Sequence, residues 1–177
     1  MSAKELSPAA SNAGVRRLDG GDLAAIERHL LELDPVSRNC RFHSGFSDAA
    51  IVAYVRSLDV TTDILFGAIE EADGRIIGLA EARPAAWLTV DVGTSVLPTH
   101  RRRGLARELV ARAIAVAFAE GVTAAEFLFD PTNTAAARTA ARLGAKSNSP
   151  GRAVLHAWLA DDCPPPTTNE HARRIAN

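Results

Sequence analysis

Apolar positions along the chain change their period several times, and each change marks an element. Leu23, Ile26, Leu30 and Leu33 share one face at helical spacing behind Asp22, a suitable capping residue, and Asp34-Pro35 breaks that helix. The pattern recurs behind Ser47-Asp48 in Ile51, Val52, Tyr54, Val55 and Leu58. Two strand-like runs, Ile64 to Ile69 and Arg75 to Ala82, flank a polar turn ending in Gly74 and predict a hairpin. Trp87 to Val96 is a third extended run, in which Gly93 marks a bulge. A helix from about Gly104 to Glu120 stops at Gly121. Ala124 to Phe129 is the next strand, ended by Asp130-Pro131. An alanine-rich helix follows Asn133, and Ala153 to Leu159 closes the set. With Val15 to Leu18 as the first strand, the order is β-α-α-β-β-β-α-β-α-β-β: an α/β protein with a mixed sheet and helices on both faces.

The 177 residues are about one domain's worth, and 47% apolar with 23% charged residues is ordinary globular composition. Residues 1–13, rich in Ser, Ala and Pro, read as a disordered lead-in, 14–160 as one domain, and 161–177 as a flexible tail. A net charge of −1 argues against a globally basic nucleic-acid binder. Cys40 and Cys163 are far apart and the five histidines lack ligand spacing, so a reduced protein without a metal is expected. No apolar run reaches membrane-spanning length and no signal-peptide pattern opens the chain, which points to the cytoplasm.

One stretch breaks a local rule. Ser95 to Pro98 is strand-like and then turns through Thr99 and His100 into Arg101, Arg102, Arg103 and Gly104, where a helix opens and Arg107 follows. Four arginines crowd the positive end of a helix dipole, where each uncompensated cation costs roughly 0.3–1 kcal/mol. A bound anion repairs this, because unpaired N–H groups and guanidinium forks both suit phosphate. The spacing fits neither a P-loop nor a dinucleotide fingerprint.

The run Val96-Leu97-Pro98-Thr99-His100-Arg101-Arg102-Arg103-Gly104-Leu105-Ala106 resembles the acyl-CoA signature V-x-P-x-x-[RQ]-x-x-G-x-[GA] of the GCN5-related N-acetyltransferases (GNAT). Asn133 to Gly144 is similar to a second family signature, with Ala145 in place of the usual aromatic. Ser37-Arg38 and Arg41-Phe42 resemble a segment of the family's protein-lysine acetyltransferases; a core-packed Phe42 with Arg41 tying down a helix end is an equal alternative.

The resemblance implies the GNAT fold, a mostly antiparallel central sheet, and an acetyl-CoA-dependent N-acetyltransferase acting on a primary amine, a protein lysine or a small amine. Acetyl-CoA is then a co-substrate, and the family leaves room for a homodimer. Amides of Arg102, Arg103, Gly104, Leu105, Ala106 and Arg107, after Arg101, would hold the pyrophosphate. Backbone of Thr94, Ser95 and Val96 would pair with the pantetheine, with an N–H near Val96 facing the developing oxyanion. Asn133 would bond the cofactor arm, a role compatible with capping its helix.

The attacking amine must be neutral although its pKa lies near 10.4, so a base is needed. Asp91 stands on the site strand where several relatives carry a glutamate, and Glu81 on the preceding strand is the alternative. Many members place a tyrosine seven residues after the asparagine to protonate the thiolate; this chain has Ala140 there, and its only tyrosine is Tyr54. That gap motivates a second reading, a non-catalytic acyl-CoA sensor. A third, nucleic-acid binding through the arginines, lacks aromatic residues among them to stack bases.

Overall fold

A computed structural model describes residues 13–157, and both the expected lead-in and tail lie outside them, apart from Ala13. One seven-stranded sheet has the order β1-β2-β3-β4-β5-β7-β6. Its left half is a meander of β1 (Ala13–Arg17), β2 (Ile64–Glu70), β3 (Ile76–Pro84) and β4 (Thr89–Val96), all antiparallel. Strand β5 (Ala124–Leu128) joins β4 in parallel, and β7 (Arg152–His156) and β6 (Lys146–Ser149) complete the sheet. The mixed α/β architecture with a mostly antiparallel sheet is the one expected.

Helix α4 (Leu105–Ala119) packs on β2, β3 and β4 through Leu105, Leu109, Val110, Ala113, Ile114 and Ala117, a stripe with helical period. Helices α1 (Leu23–Leu31) and α3 (Asp48–Arg56) pack on one another, and α1 lies on β3. Ile26, Leu30 and Ile51 are fully buried there, each contributing roughly 1.5–3 kcal/mol. Helix α5 (Thr134–Arg142) sits against α4, β6 and β7.

Five details differ from the sequence reading. An additional helix, α2 (Pro35–Phe42), follows Asp34-Pro35: the proline that ends α1 occupies the first turn of α2, where its missing N–H is harmless, and Asp34 accepts from Ser37 N–H at 2.9 Å. The first helix is entered through a 3-10 turn capped by Asp19, while Asp22 accepts from the Asp19 N–H and binds Arg16. Strand β4 starts at Thr89 because Trp87 and Leu88 form the preceding turn with φ of 54° and 59°. No bulge stands at Gly93, since β3 and β4 stay in register from Gly78↔Val96 to Pro84↔Val90. The closing strand ends at His156, and Trp158 and Leu159 lie outside the described residues.

A buried histidine links α1 to the site strand. His29 Nδ1 lies 2.9 Å from the Ile76 carbonyl, which can only accept, so Nδ1 carries the proton and Nε2 accepts from the Ser95 hydroxyl at 2.8 Å. Burial drives the imidazole pKa down to about 4. Between pH 6.5 and 4 the unfolded chain gains a proton that the folded imidazole refuses, so acidification through that window removes about 3 kcal/mol of stability, with no further loss from this group below it. Urea unfolding across this range should show a shallower pH slope for His29→Gln than for the parent chain; equal slopes would contradict a neutral buried His29.

Candidate functional site

Strands β4 and β5 pair only from Thr89↔Ala124 to Val92↔Phe127 and then part, while β4 continues to Val96 against β3. Backbone groups alternate sides along a strand, and Leu97 N–H donates to Ile77 on the β3 side at 2.9 Å. Thr94 and Val96 therefore turn their N–H and C=O groups into the gap left by β5. Ser95 turns its backbone groups to β3 and its hydroxyl to His29, so it offers the gap none of these, contrary to the expectation that all three residues face it.

The gap is the centre of a cleft of about 1150 Å³. The start of α4 forms one wall. Gly104 precedes the helix with φ of 82°, a left-handed conformation that glycine adopts without strain, and Arg102 is also left-handed at 63°. The first α4 bond runs from Glu108 N–H to Gly104 O, so the N–H groups of Leu105, Ala106 and Arg107 have no intrahelical acceptor. Gly104, Leu105, Ala106 and Arg107 all line the cleft, as do Arg102 and, from α5, Arg138 and Arg142.

Two of the arginines in the signature behave differently from the rest. Arg101 donates from Nε to Val96 O at 3.1 Å and from Nη2 to Ser37 Oγ at 2.6 Å, bracing the turn. Arg103 lines a separate recess on the far side of the turn, with Glu70 and His100. His100 itself is tied to Glu70 at 3.0 Å, so the β2–β3 hairpin supports the turn from behind. Asn133 caps α5, accepting from Ala136 N–H at 3.1 Å, and borders the same cleft.

The opposite half of the cleft carries the carboxylates. Asp91 and Glu126 are register neighbours on β4 and β5, and Glu126 is held by Arg152. Partial burial, then the Glu126 charge, raises the Asp91 pKa above the usual carboxylate value, opposed by Arg152. Glu81 lies opposite Gly93 and is 1% exposed. Its Oε2 accepts from Arg41 Nη2 at 2.7 Å and from the Tyr54 hydroxyl. Burial and the neighbouring Glu81 push the Tyr54 phenol up to about 12. Ala140, where a tyrosine would serve as acid, is a buried core residue.

The Ser37 to Phe42 segment becomes intelligible as α2. Arg38, not Arg41, ties helix ends together, donating to Leu31 O and Leu33 O of the α1 end and to Asp48 of α3. Phe42 stacks on Phe46 with centroids 4.3 Å apart and meets the edge of Tyr54. Arg41 reaches the sheet, and its guanidinium explains the glycine at 93: a Cβ there would stand 2.5 Å from Cζ. Arg41 and Tyr54, which sequence reading noted without giving them a site role, and Glu126, Arg138 and Arg142, which it passed over, all line the cleft. Only the four-residue spacing of Arg138 and Arg142 on a helix could have indicated a shared face.

Comparison with known proteins follows this geometry. Residues 30–145 match the Acetyltransferase (GNAT) family. A search of curated proteins gave no match. The GNAT domain of S. lividans PAT is similar in fold, with 21% identity, TM-score 0.65, and coverage of 81% of this chain and 90% of that one. The yncA product of Salmonella typhimurium, solved with its cofactor acetyl-CoA, gives 20% identity, TM-score 0.65 and coverage of 89% and 99%. The ribosomal-protein-S5-alanine acetyltransferase of Vibrio fischeri gives 14%, 0.65, 86% and 97%.

Gly93→Ala should displace Arg41 from Glu81 and leave a buried carboxylate unpaired, a loss of about 3 kcal/mol in urea unfolding. A change under about 0.5 kcal/mol, typical of a surface site, would mean that the guanidinium does not rest on this glycine.

Proposed function

Since the chain belongs to the GNAT family of acetyltransferases, we propose that it moves the acetyl group of acetyl-CoA to a primary amine by direct attack on the thioester. The observation that carries this reading is the opening between β4 and β5, which presents the Thr94 N–H and C=O and the Val96 N–H beside the unpaired N–H groups opening α4. The fit to the co-substrate is chemical. Amides of Leu105, Ala106 and Arg107 with the Arg102 and Arg107 guanidiniums suit a diphosphate, and Arg138 and Arg142 extend the positive wall. Thr94 and Val96 suit an arm that carries amide groups of its own.

Asp91 is the proposed base. Its raised pKa suits proton removal better than an ordinary carboxylate, and no protein hydrogen bond occupies it among the described residues. Glu81 is the weaker candidate because Arg41 and Tyr54 already occupy Oε2. Asp91 first relays the ammonium's extra proton to solvent; the freed amine lone pair then forms the N–C bond, the C–S bond breaks with its electron pair on sulfur, and the second amine proton passes to Asp91. With Ala140 in the acid position, solvent protonates the thiolate, a tolerable leaving group with a pKa near 8.5.

The acceptor end is the acidic end, where Asp91 and Glu126 face the incoming ammonium. A protein lysine and a small amine both meet this description, and the resemblance of Ser37 to Phe42 to a segment of the family's protein-lysine acetyltransferases makes the former the first acceptor to try. The competing reading, an acyl-CoA sensor without chemistry, draws on Ala140 and shares the same binding site.

Calorimetry should show acetyl-CoA binding, and thiol release should rise when lysine peptides or simple amines are added. Asp91→Asn should lower kcat by about 10²–10⁴ with acetyl-CoA affinity unchanged. No release above background from any amine, with binding intact, would favour the sensor. Removing the Glu126 charge lets Asp91 ionise more readily, so Glu126→Gln should move the acid limb of the kcat/KM profile to lower pH. A limb that stays in place or moves up would remove Asp91 as the base.

A further inference from the structure

Arg41 is over-provided with donors for a structural ion pair. Its side chain is 11% exposed and clamped by the Phe42 and Tyr54 rings, with Cζ 5.0 and 5.7 Å from their centroids. All its protein hydrogen bonds leave from Nη2, to Glu81 at 2.7 Å and Tyr54 at 3.0 Å. Nε is buried without an acceptor, and Nη1 has none among the described residues. Nη1 stands 2.7 Å from where a Gly93 Cβ would be, so it lies over the strand one residue past the last β4–β5 pair, on the wall of the cleft. Along that strand come Asp91, then the guanidinium over Gly93, then the open backbone of Thr94 and the Val96 N–H.

We propose that Arg41 is a catalytic residue of the acyl transfer, its Nη1 donating to the thioester carbonyl oxygen and holding the negative charge that develops there. The assignment rests on the acetyl-CoA reading above. As the amine forms its bond to carbon, the carbonyl π pair moves to oxygen beside a fixed cation. As the carbonyl re-forms, the C–S bond breaks and the pair departs on sulfur, with the proton on Asp91. A preorganised guanidinium in a water-poor wall serves this better than one that must reorganise, and burial with two aromatic faces keeps it in place. The close seat also accounts for the glycine: any side chain at 93 would lift the cation off the backbone edge. Glu81 and Tyr54 then act as positioning residues, holding Nη2 so that Nη1 faces outward.

The test uses the full chain and [1-13C]acetyl-CoA, first by calorimetry and then by isotope-edited infrared spectroscopy of the bound thioester. Because Arg41→Met alone would strand Glu81, it is made together with Glu81→Gln, and Glu81→Gln alone, whose amide oxygen and the Tyr54 hydroxyl still accept from Nη2, serves as a control that keeps the guanidinium in place. The parent chain and the control should shift the bound carbonyl stretch to lower frequency than in free acetyl-CoA, and the double variant should lose that shift while still binding. With an amine that the parent chain acetylates, Arg41→Lys should lower kcat by about 10²–10³ with a small effect on the acetyl-CoA KM. Absence of acetyl-CoA binding by the parent chain would overturn the cofactor reading and this assignment together. Binding with the same carbonyl frequency in parent and double variant would overturn the Arg41 assignment alone.

Discussion

The structure turns on a shortage of partners in the middle of a sheet. Strand β4 must satisfy backbone groups on both sides, yet β5 accompanies it only to Val92↔Phe127. Beyond that rung the Val96 carbonyl is taken by Arg101, but the Thr94 N–H and C=O and the Val96 N–H face a gap, an arrangement that a folded protein keeps only where water or a ligand completes it. The N–H groups at the start of α4 carry the same deficit a few residues later in the chain. The two deficits border one cleft.

Helix α2 joins the two halves of that cleft. Ser37, near its start, receives Arg101 from the anion-binding turn, and Arg41, one helical turn later, lies over Gly93 and holds Glu81. One short helix therefore touches both the cationic turn and the carboxylate-bearing half. Cations and carboxylates share that cleft: Arg102, Arg107, Arg138 and Arg142 line it together with Asp91 and Glu126.

Much of this was legible in the chain because it depends on local rules. The broken dipole rule at Arg101 to Arg107, with Pro98 and Gly104 at fixed offsets, singled out the turn and helix start that line the cleft without any tertiary information. Apolar period gave the hairpin and the α4 stripe. What stayed hidden depends on contacts distant in sequence. Arg41 and Gly93 are 52 positions apart, so the glycine read as a bulge when its cause was a guanidinium. Asp34-Pro35 read as a stop because the same dipeptide can end one helix and open the next, and only the Asp34 to Ser37 bond decides. Arg101 and Arg103 show the limit of counting charges, since one braces the turn and the other faces a different recess.

Hydrogen exchange at the Thr94 and Val96 amides, followed with and without saturating acetyl-CoA, tests the central claim most directly. These two N–H groups point into the gap, so their exchange should slow strongly when acetyl-CoA is present. Unchanged exchange at both amides would mean that the opening between β4 and β5 is not where acetyl-CoA is held.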